Sequence, residues 1–265
     1  LRILIKIGGT LLEDEATQQS LARQIGAAAG LNHQIVVVHG GGKQITRFLE
    51  KRGAASTFVD GLRVTTPEVL DAVVQVVGGA VNTRLVAALA RCGVLSVGLS
   101  GMDAGVVQAE QMSPNLGSVG RVTGSNPALP RVLLKHGYVP VVACIGGDAQ
   151  GNLYNINGDQ MAVACARSLG ADLLLFLTDV KGVMDREGRV LTRLTPGECG
   201  ELISSGVARG GMQAKLEAAV AALEGGVPVV RIVPGAAESI ILKSVAGEAA
   251  GTGIAYASTL AGEAR

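Results

Sequence analysis

Lys6 stands in a mostly apolar run, Leu1 to Ile7, and is followed directly by Gly8-Gly9. An ammonium group in a buried strand costs desolvation unless its end emerges at a polar site, and two glycines let the backbone there approach a ligand. A second cluster, His39-Gly40-Gly41-Gly42, separates the β-branched run Ile35 to Val38 from a stretch of helical spacing, Lys43 to Lys51. Unobstructed N–H groups at a strand-to-helix junction suit anionic oxygens, although a tight turn packed for space would use the same residues. Asn155-Ile156-Asn157-Gly158-Asp159 puts amides and a carboxylate at the start of the helix-like run Gln160 to Leu169, where plain N-capping competes with a ligand role. Thr178-Asp179-Val180-Lys181-Gly182-Val183 is a comparable loop after the strongest apolar run. Gly210-Gly211-Met212-Gln213-Ala214-Lys215 sets a lysine just inside a helix N-terminus, where the dipole disfavours a cation that has no anion beside it. Cations and backbone N–H groups are the tools of anion handling, whereas the phosphate loop G-x-x-x-x-G-K-[ST] and the dinucleotide fingerprint G-x-G-x-x-G are both missing. A P-loop NTPase and a Rossmann dehydrogenase are therefore disfavoured. Cys92, Cys144, Cys165 and Cys199 are scattered, with no C-x-x-C and no histidine at ligand spacing, so they read as isolated buried thiols and no metal site is expected.

The elements that must carry these residues alternate. Short apolar runs at Leu1 to Ile7, Ile35 to Val38, Leu95 to Leu99, Val139 to Ile145, Leu173 to Leu177 and Val227 to Val233 end in glycine, Thr-Asp or Pro-Gly and are separated by helical stretches. This predicts an α/β fold, a three-layer sandwich with a central, mainly parallel sheet, and in such sheets ligands collect beyond the carboxyl ends of the strands. Gly105 to Thr123 breaks the pattern with Pro114, Asn115 and Gly117; it reads as a hairpin outside the main sheet, carrying turn residues rather than a core face and suited to a lid. No linker or repeat divides the 265 residues, so division is into lobes, about 1–172 and 173–265, with the seam near Leu173. Hydrophobic residues at 48% rule out disorder. A net charge of +1 with 2% aromatics gives no support to nucleic-acid binding. No apolar run approaches the ~18 residues of a membrane span, and a cytoplasmic, reducing location is expected.

Lys6-Ile-Gly-Gly9, His39-Gly-Gly-Gly42, Gly61-Leu-Arg-Val-Thr65, Asn155-Ile-Asn-Gly-Asp159, Thr178-Asp-Val-Lys-Gly-Val183 and Gly211-Met-Gln-Ala-Lys215 occur in an order and spacing that resembles the amino acid kinase family. The resemblance runs from residue 1 to about 256 and includes Gly251-Thr-Gly-Ile254; Gly158 and Ala214 depart slightly from the family pattern. Within the family the chain is similar to the branch that phosphorylates the side-chain carboxylate of N-acetyl-L-glutamate on the acetylated route to arginine. The resemblance implies ATP, with Mg2+ bound through its phosphates. It implies that Lys6 and Lys215 stabilise the transferring phosphoryl group and that Asp159 holds both lysines. Gly9 and Gly42 would offer N–H groups to the phosphates, and Gly41, Gly42, Arg63 and Asn155 would bind acetylglutamate. Asp179, Val180, Lys181, Gly182, Val183 and Met184, with Val207, Ala208 and Arg209, would seat the nucleotide.

Two alternatives stay open. A kinase of the same family acting on an N-acylated aminoadipate is opposed by Gly61 to Thr65, and a non-catalytic amino-acid sensor by the joint presence of Lys6, Asp159 and Lys215. The five residues ahead of Lys6 are too few for the N-terminal helix that, in the resembled family, accompanies arginine inhibition and hexamers. A homodimer insensitive to arginine is expected, with the apolar stretch Val69 to Leu89 either at the dimer contact or simply in the core.

Overall fold

The computed structural model describes residues 1–248 and 251–262. The chain opens with β1 (Arg2–Ile7), α1 (Glu15–Gly30), β2 (Gln34–His39) and α2 (Gly42–Glu50). A hairpin of β3 (Phe58–Val59) and β4 (Leu62–Arg63) leads into one unbroken helical stretch: α3 (Pro67–Val73), a π-helical segment Val74–Val81 and α4 (Asn82–Arg91). Then come β5 (Ser96–Ser100), β6 (Val107–Gln111), β7 (Val119–Ser125), α5 (Ala128–Lys135), β8 (Val139–Ala143), β9 (Ile145–Gly147), β10 (Leu153–Ile156) and α6 (Gly158–Leu169). β11 (Leu173–Thr178), β12 (Arg193–Leu194), α7 (Pro196–Ser204), α8 (Gly210–Glu224), β13 (Val229–Pro234), α9 (Ile240–Val245) and β14 (Thr252–Ile254) follow.

Eight strands form the central sheet in the order β12-β14-β13-β11-β1-β2-β8-β5, parallel throughout except where β13 meets β14. Strand alternation sends Ile3, Ile5 and Ile7 into a core shared with α1, α4 and α9, and Leu4 into a second core shared with α6 and α8. The same parity holds along β2, with Ile35 and Val37 on one face and Val36 and Val38 on the other. Two buried layers flanking one mainly parallel sheet are the expected three-layer α/β sandwich. Alternation also decides the fate of Lys6: it lies on the Leu4 face, under α6, at the carboxyl end of its strand.

The run Val139 to Ile145 is not one strand. The chain leaves the main sheet at Cys144, and β9 joins β6, β7 and β10 in a small closed sheet. The hairpin expected between Gly105 and Thr123 is present as β6 and β7, paired antiparallel outside the main sheet. Its expected lack of a core face is corrected: Val107, Ala109 and Val119 are buried, and closing the small sheet is what buries them. Pro67–Arg91 is long and apolar enough to cross a membrane on length and composition alone, but Val69, Val73, Val77, Val81, Leu85 and Leu89 all pack into the first core.

Candidate active site

Three regular elements bring one carboxylate and two ammonium groups together. β1 supplies Lys6. α6 supplies Asp159, in its first turn, with Asn157 capping the helix by accepting from the Asp159 and Gln160 N–H groups at 2.9 and 3.2 Å. α8 supplies Lys215. Asp159 Oδ1 lies 2.7 Å from Lys6 Nζ and Oδ2 lies 3.2 Å from Lys215 Nζ, so each carboxylate oxygen takes one lysine. Burial pushes the Asp159 carboxyl up, but the two ammonium groups outweigh it and hold the group below the usual carboxylate value. Capping at this helix is real and belongs to Asn157, which frees Asp159 for the lysines. The anion that the position of Lys215 called for is Asp159. Two cations against one anion leave a positive charge uncompensated within the cluster.

Gly158 joins this cluster to a cleft of about 170 Å³ lined by Gly40, Gly41, Gly42, Phe58, Arg63, Val77, Cys144 and Asn155. A Cβ on Gly158 would stand 3.1 Å from Lys6 Cε and 3.4 Å from Cys144 Sγ, so the residue has to be small or the lysine has to give way. Gly9 packs against the other glycine loop: its Cβ would lie 3.3 Å from the Gly42 nitrogen. Gly42 opens α2, and the first N–H groups of a helix have no intrahelical acceptor. The two glycine loops thus form one donor-bearing rim beside the lysines.

Arg63 is buried, and its guanidinium donates to the Gly42 carbonyl at 2.7 Å, to Thr46 Oγ1 at 2.8 Å and to Ser56 Oγ, with the Phe58 ring 4.6 Å away. Asn155 donates to Thr65 Oγ1 at 3.0 Å, and that hydroxyl donates to the Arg63 carbonyl at 2.8 Å, tying β10 to the end of β4. Gly41, Gly42, Arg63 and Asn155 therefore share one cleft. Cys144 also lines it, with its thiol pushed up to about 12 by burial, a value that leaves it protonated and inert at neutral pH.

The loop after β11 starts alongside the rim, because Gly8 N donates to the Leu177 carbonyl at 3.0 Å. Asp179, Val180, Lys181 and Met184 are exposed, and Gly182 and Val183 are buried against β14. Val183 N donates to Thr252 Oγ1 at 2.8 Å, and at Gly182 a φ of +150° together with Thr252 and Val190 leaves no room for a side chain. Ala208 is buried, and Arg209 is the N-cap residue of α8, whose Lys215 reaches the cluster. Val183 and Ala208 both belong to the second core. Thr252, Thr46, Ser56 and Val77 went unselected in the sequence; Thr252 had a signal in the closing Gly251-Thr-Gly-Ile254 motif, the others had none. A larger open groove of about 480 Å³ between α1 and α4, lined by Gln19, Arg23, Arg91 and Cys92, holds none of the selected residues.

This fold with paired lysines on a shared aspartate beside a glycine rim is the architecture of a phosphotransferase, and the model of the amino acid kinase family matches residues 1–234: the chain belongs to that family. It is 58% identical over 252 residues to an acetylglutamate kinase of Solibacter usitatus, covering 95% of this chain and 98% of that one. An acetylglutamate kinase of Ruegeria pomeroyi is 42% identical over 240 residues, 91% of this chain and 84% of that one. Among solved structures, the N-acetylglutamate synthase of Neisseria gonorrhoeae in complex with coenzyme A and N-acetylglutamate superposes with a TM-score of 0.86 at 29% identity, over 96% of this chain. This chain spans 59% of the length of that synthase.

Proposed function

We propose that this chain transfers the γ-phosphoryl group of ATP to the side-chain carboxylate of N-acetyl-L-glutamate, giving an acyl phosphate on the route to arginine. The observation that carries the reading is the Lys6–Asp159–Lys215 cluster beside a glycine-rimmed cleft that also holds a buried arginine. The similarity to acetylglutamate kinases supports the substrate class.

A side-chain carboxylate with a reference pKa of ~4.3 is ionised at neutral pH, so it attacks without a general base. The work is to hold an anion against a polyanion and to spread the charge of a loose transition state, which needs cations and preorganised N–H groups. Lys6 and Lys215 meet the transferring phosphoryl group, while Asp159 fixes both ammonium groups. Gly9 and Gly42 turn N–H groups toward the phosphates. Arg63 takes the α-carboxylate, for which a planar fork suits better than an ammonium group, and Gly41 and Asn155 complete that end of the cleft. Residues 179–184 and 207–209 receive the nucleotide. Among the described residues no cluster of three His, Cys, Asp or Glu side chains offers a cation site. Mg2+ carried on the phosphates would neutralise their charge. The lobes of about 1–172 and 173–265 hold acetylglutamate and ATP respectively, and the molecule works as a cytoplasmic homodimer.

Trapping of the acyl phosphate with hydroxylamine tests the reading. With ATP and Mg2+, product is expected from N-acetyl-L-glutamate and little from glutamate, aspartate or N-acetylaminoadipate. Equal product from N-acetylaminoadipate would overturn the substrate assignment, and no acyl phosphate from any acid would overturn the reaction.

A further inference from the structure

His39 is the last residue of β2 and is wholly buried. Its parity with Ile35 and Val37 turns it toward the core shared with α4, and the reaction as read above makes no use of it. Its Nε2 lies 2.9 Å from Asn82 Nδ2 and its Nδ1 lies 3.0 Å from the Gly40 carbonyl oxygen. Asn82 is buried too, and the same Nδ2 lies 2.9 Å from the Val141 carbonyl oxygen. A carbonyl oxygen can only accept, which fixes the nitrogen of the Asn82 amide as the atom facing both groups. Its two hydrogens then go to Val141 O and to His39 Nε2. With Nε2 accepting, the imidazole proton sits on Nδ1 and is donated to Gly40 O. Gly98 in β5 leaves the space that Asn82 fills, since a Cβ there would collide with Asn82 Oδ1.

The consequence lies one peptide further on. In a planar trans peptide the C=O and the following N–H point in opposite directions, and the described residues contain no cis peptide bond. Tying the Gly40 oxygen down into the core therefore turns the Gly41 N–H the other way, to the cleft side of the loop. Gly40, Gly41 and Gly42 all line the cleft, and a Cβ on Gly9 would lie 3.3 Å from the Gly42 nitrogen and 3.7 Å from Gly41 Cα. Gly41 is pressed from the π-helical segment as well: its Cβ would be 3.1 Å from Val77 Cγ2. We propose that His39 and Asn82 are positioning residues that set the orientation of the glycine-loop N–H groups for phosphoryl transfer. The proposal rests on the reaction proposed above, and the chain of hydrogen bonds can be checked without it.

The first arm uses the unaltered protein. Long-range ¹H–¹⁵N correlation at pH 7.5, with the His39 signals assigned by their loss in His39→Asn, should show a neutral ring protonated at Nδ1. A ring protonated at Nε2, or an imidazolium, would overturn the chain of donors. The second arm separates positioning from simple support of the fold. His39→Asn places an amide N–H near the Nδ1 position, whereas His39→Gln places its amide near Nε2 and leaves Gly40 O without a donor. A displaced loop costs on the order of 10² in rate, so His39→Gln should lose about that much kcat, with a rise in the KM for N-acetyl-L-glutamate as well because Gly41 lines that end of the cleft. His39→Asn should recover most of the loss. Equal kcat in the two folded variants would refute the proposal, and if His39→Gln does not fold the tautomer measurement still decides. An unaltered protein that fails to phosphorylate N-acetyl-L-glutamate would count against the substrate reading alone.

Discussion

The ends of β1 and β11 are neighbours in the central sheet, yet the groups that follow them are held in opposite ways. At β1 the ammonium of Lys6 is buried, meets a carboxylate at 2.7 Å, and shares that carboxylate with a second lysine from another helix. At β11 the next residues, Asp179 to Lys181, are exposed, and the loop is fastened further along through the Thr252 hydroxyl and the special backbone at Gly182. Groups that face developing charge must not move when the charge appears, so they are fixed by other charges on rigid elements. On the reading proposed above the segment after β11 takes up and releases a nucleotide on every turnover, and such a segment needs only enough tethers to keep its shape.

The contrast makes the centre costly to alter and the loop tolerant. Lys6→Ala and Lys215→Ala should each cut turnover by roughly 10² or more, because each removes a preorganised cation from the transferring group. Purified variants with near-normal circular dichroism and normal kcat would show that the cluster is structural only.

Acid should strike the buried side first. Burial lowers the His39 pKa from its ordinary 6.5 to about 4, so between these values the unfolded chain takes a proton that the folded chain refuses. Stability is complete above pH ~6.5 and falls as the pH drops toward ~4, by up to roughly 3 kcal/mol from this group. Urea unfolding of the unaltered protein and of a folded His39 variant at pH 7 and pH 5 measures it, and identical pH slopes would remove the effect.

Arg63 lies between the two extremes. Loss of one charge-assisted contact predicts a rise in acetylglutamate KM worth about 1.5 to 3 kcal/mol in Arg63→Ala. Because its guanidinium also holds the Gly42 carbonyl and Thr46, kcat should fall as well. Steady-state kinetics with each substrate varied would separate the two effects; an unchanged acetylglutamate KM would take Arg63 out of the pocket. The smallest effect belongs to the loop. Thr252→Val leaves the Val183 N–H without its acceptor, for about 1 to 2 kcal/mol, and should raise the ATP KM several-fold with kcat nearly unchanged. A fall in kcat as large as that of the lysine variants would erase the distinction between the regions.

Much of the centre was readable from residue types because its cost was visible: a lysine inside a mostly apolar strand asks for a polar site, and a lysine at a helix start for an anion nearby. The residue types alone left open which acidic group answers; the family resemblance named Asp159, which could equally have been a helix cap until Asn157 was seen to fill that role. The apolar runs of β1 and β2 were legible as buried strands, and the structure shows which face each of their residues takes. The small closed sheet was not legible, because its strands are short and two of its pairings join segments far apart in sequence: β10 with β7, Asn155 opposite Val119, and β6 with β9, Gln108 opposite Gly147. Likewise a histidine before three glycines looks like part of a loop until Asn82, 43 residues later, is found against its ring.

The π-helical segment has a consequence for how this chain can change by descent. Each residue of an α-helix turns the face by 100°, and a π turn accommodates a residue that a regular helix would not. Loss of one residue between Val74 and Val81 would let the stretch close up to ordinary α-helix, and because the residue lost is the one the wide turn held in excess, Asn82, Leu85 and Leu89 would keep their faces. A residue lost from Asn82–Arg91 meets no such reserve and would turn everything after it by about 100°. Length variation inside Pro67–Arg91 along this lineage should therefore be confined to Val74–Val81, with Asn82 kept opposite His39.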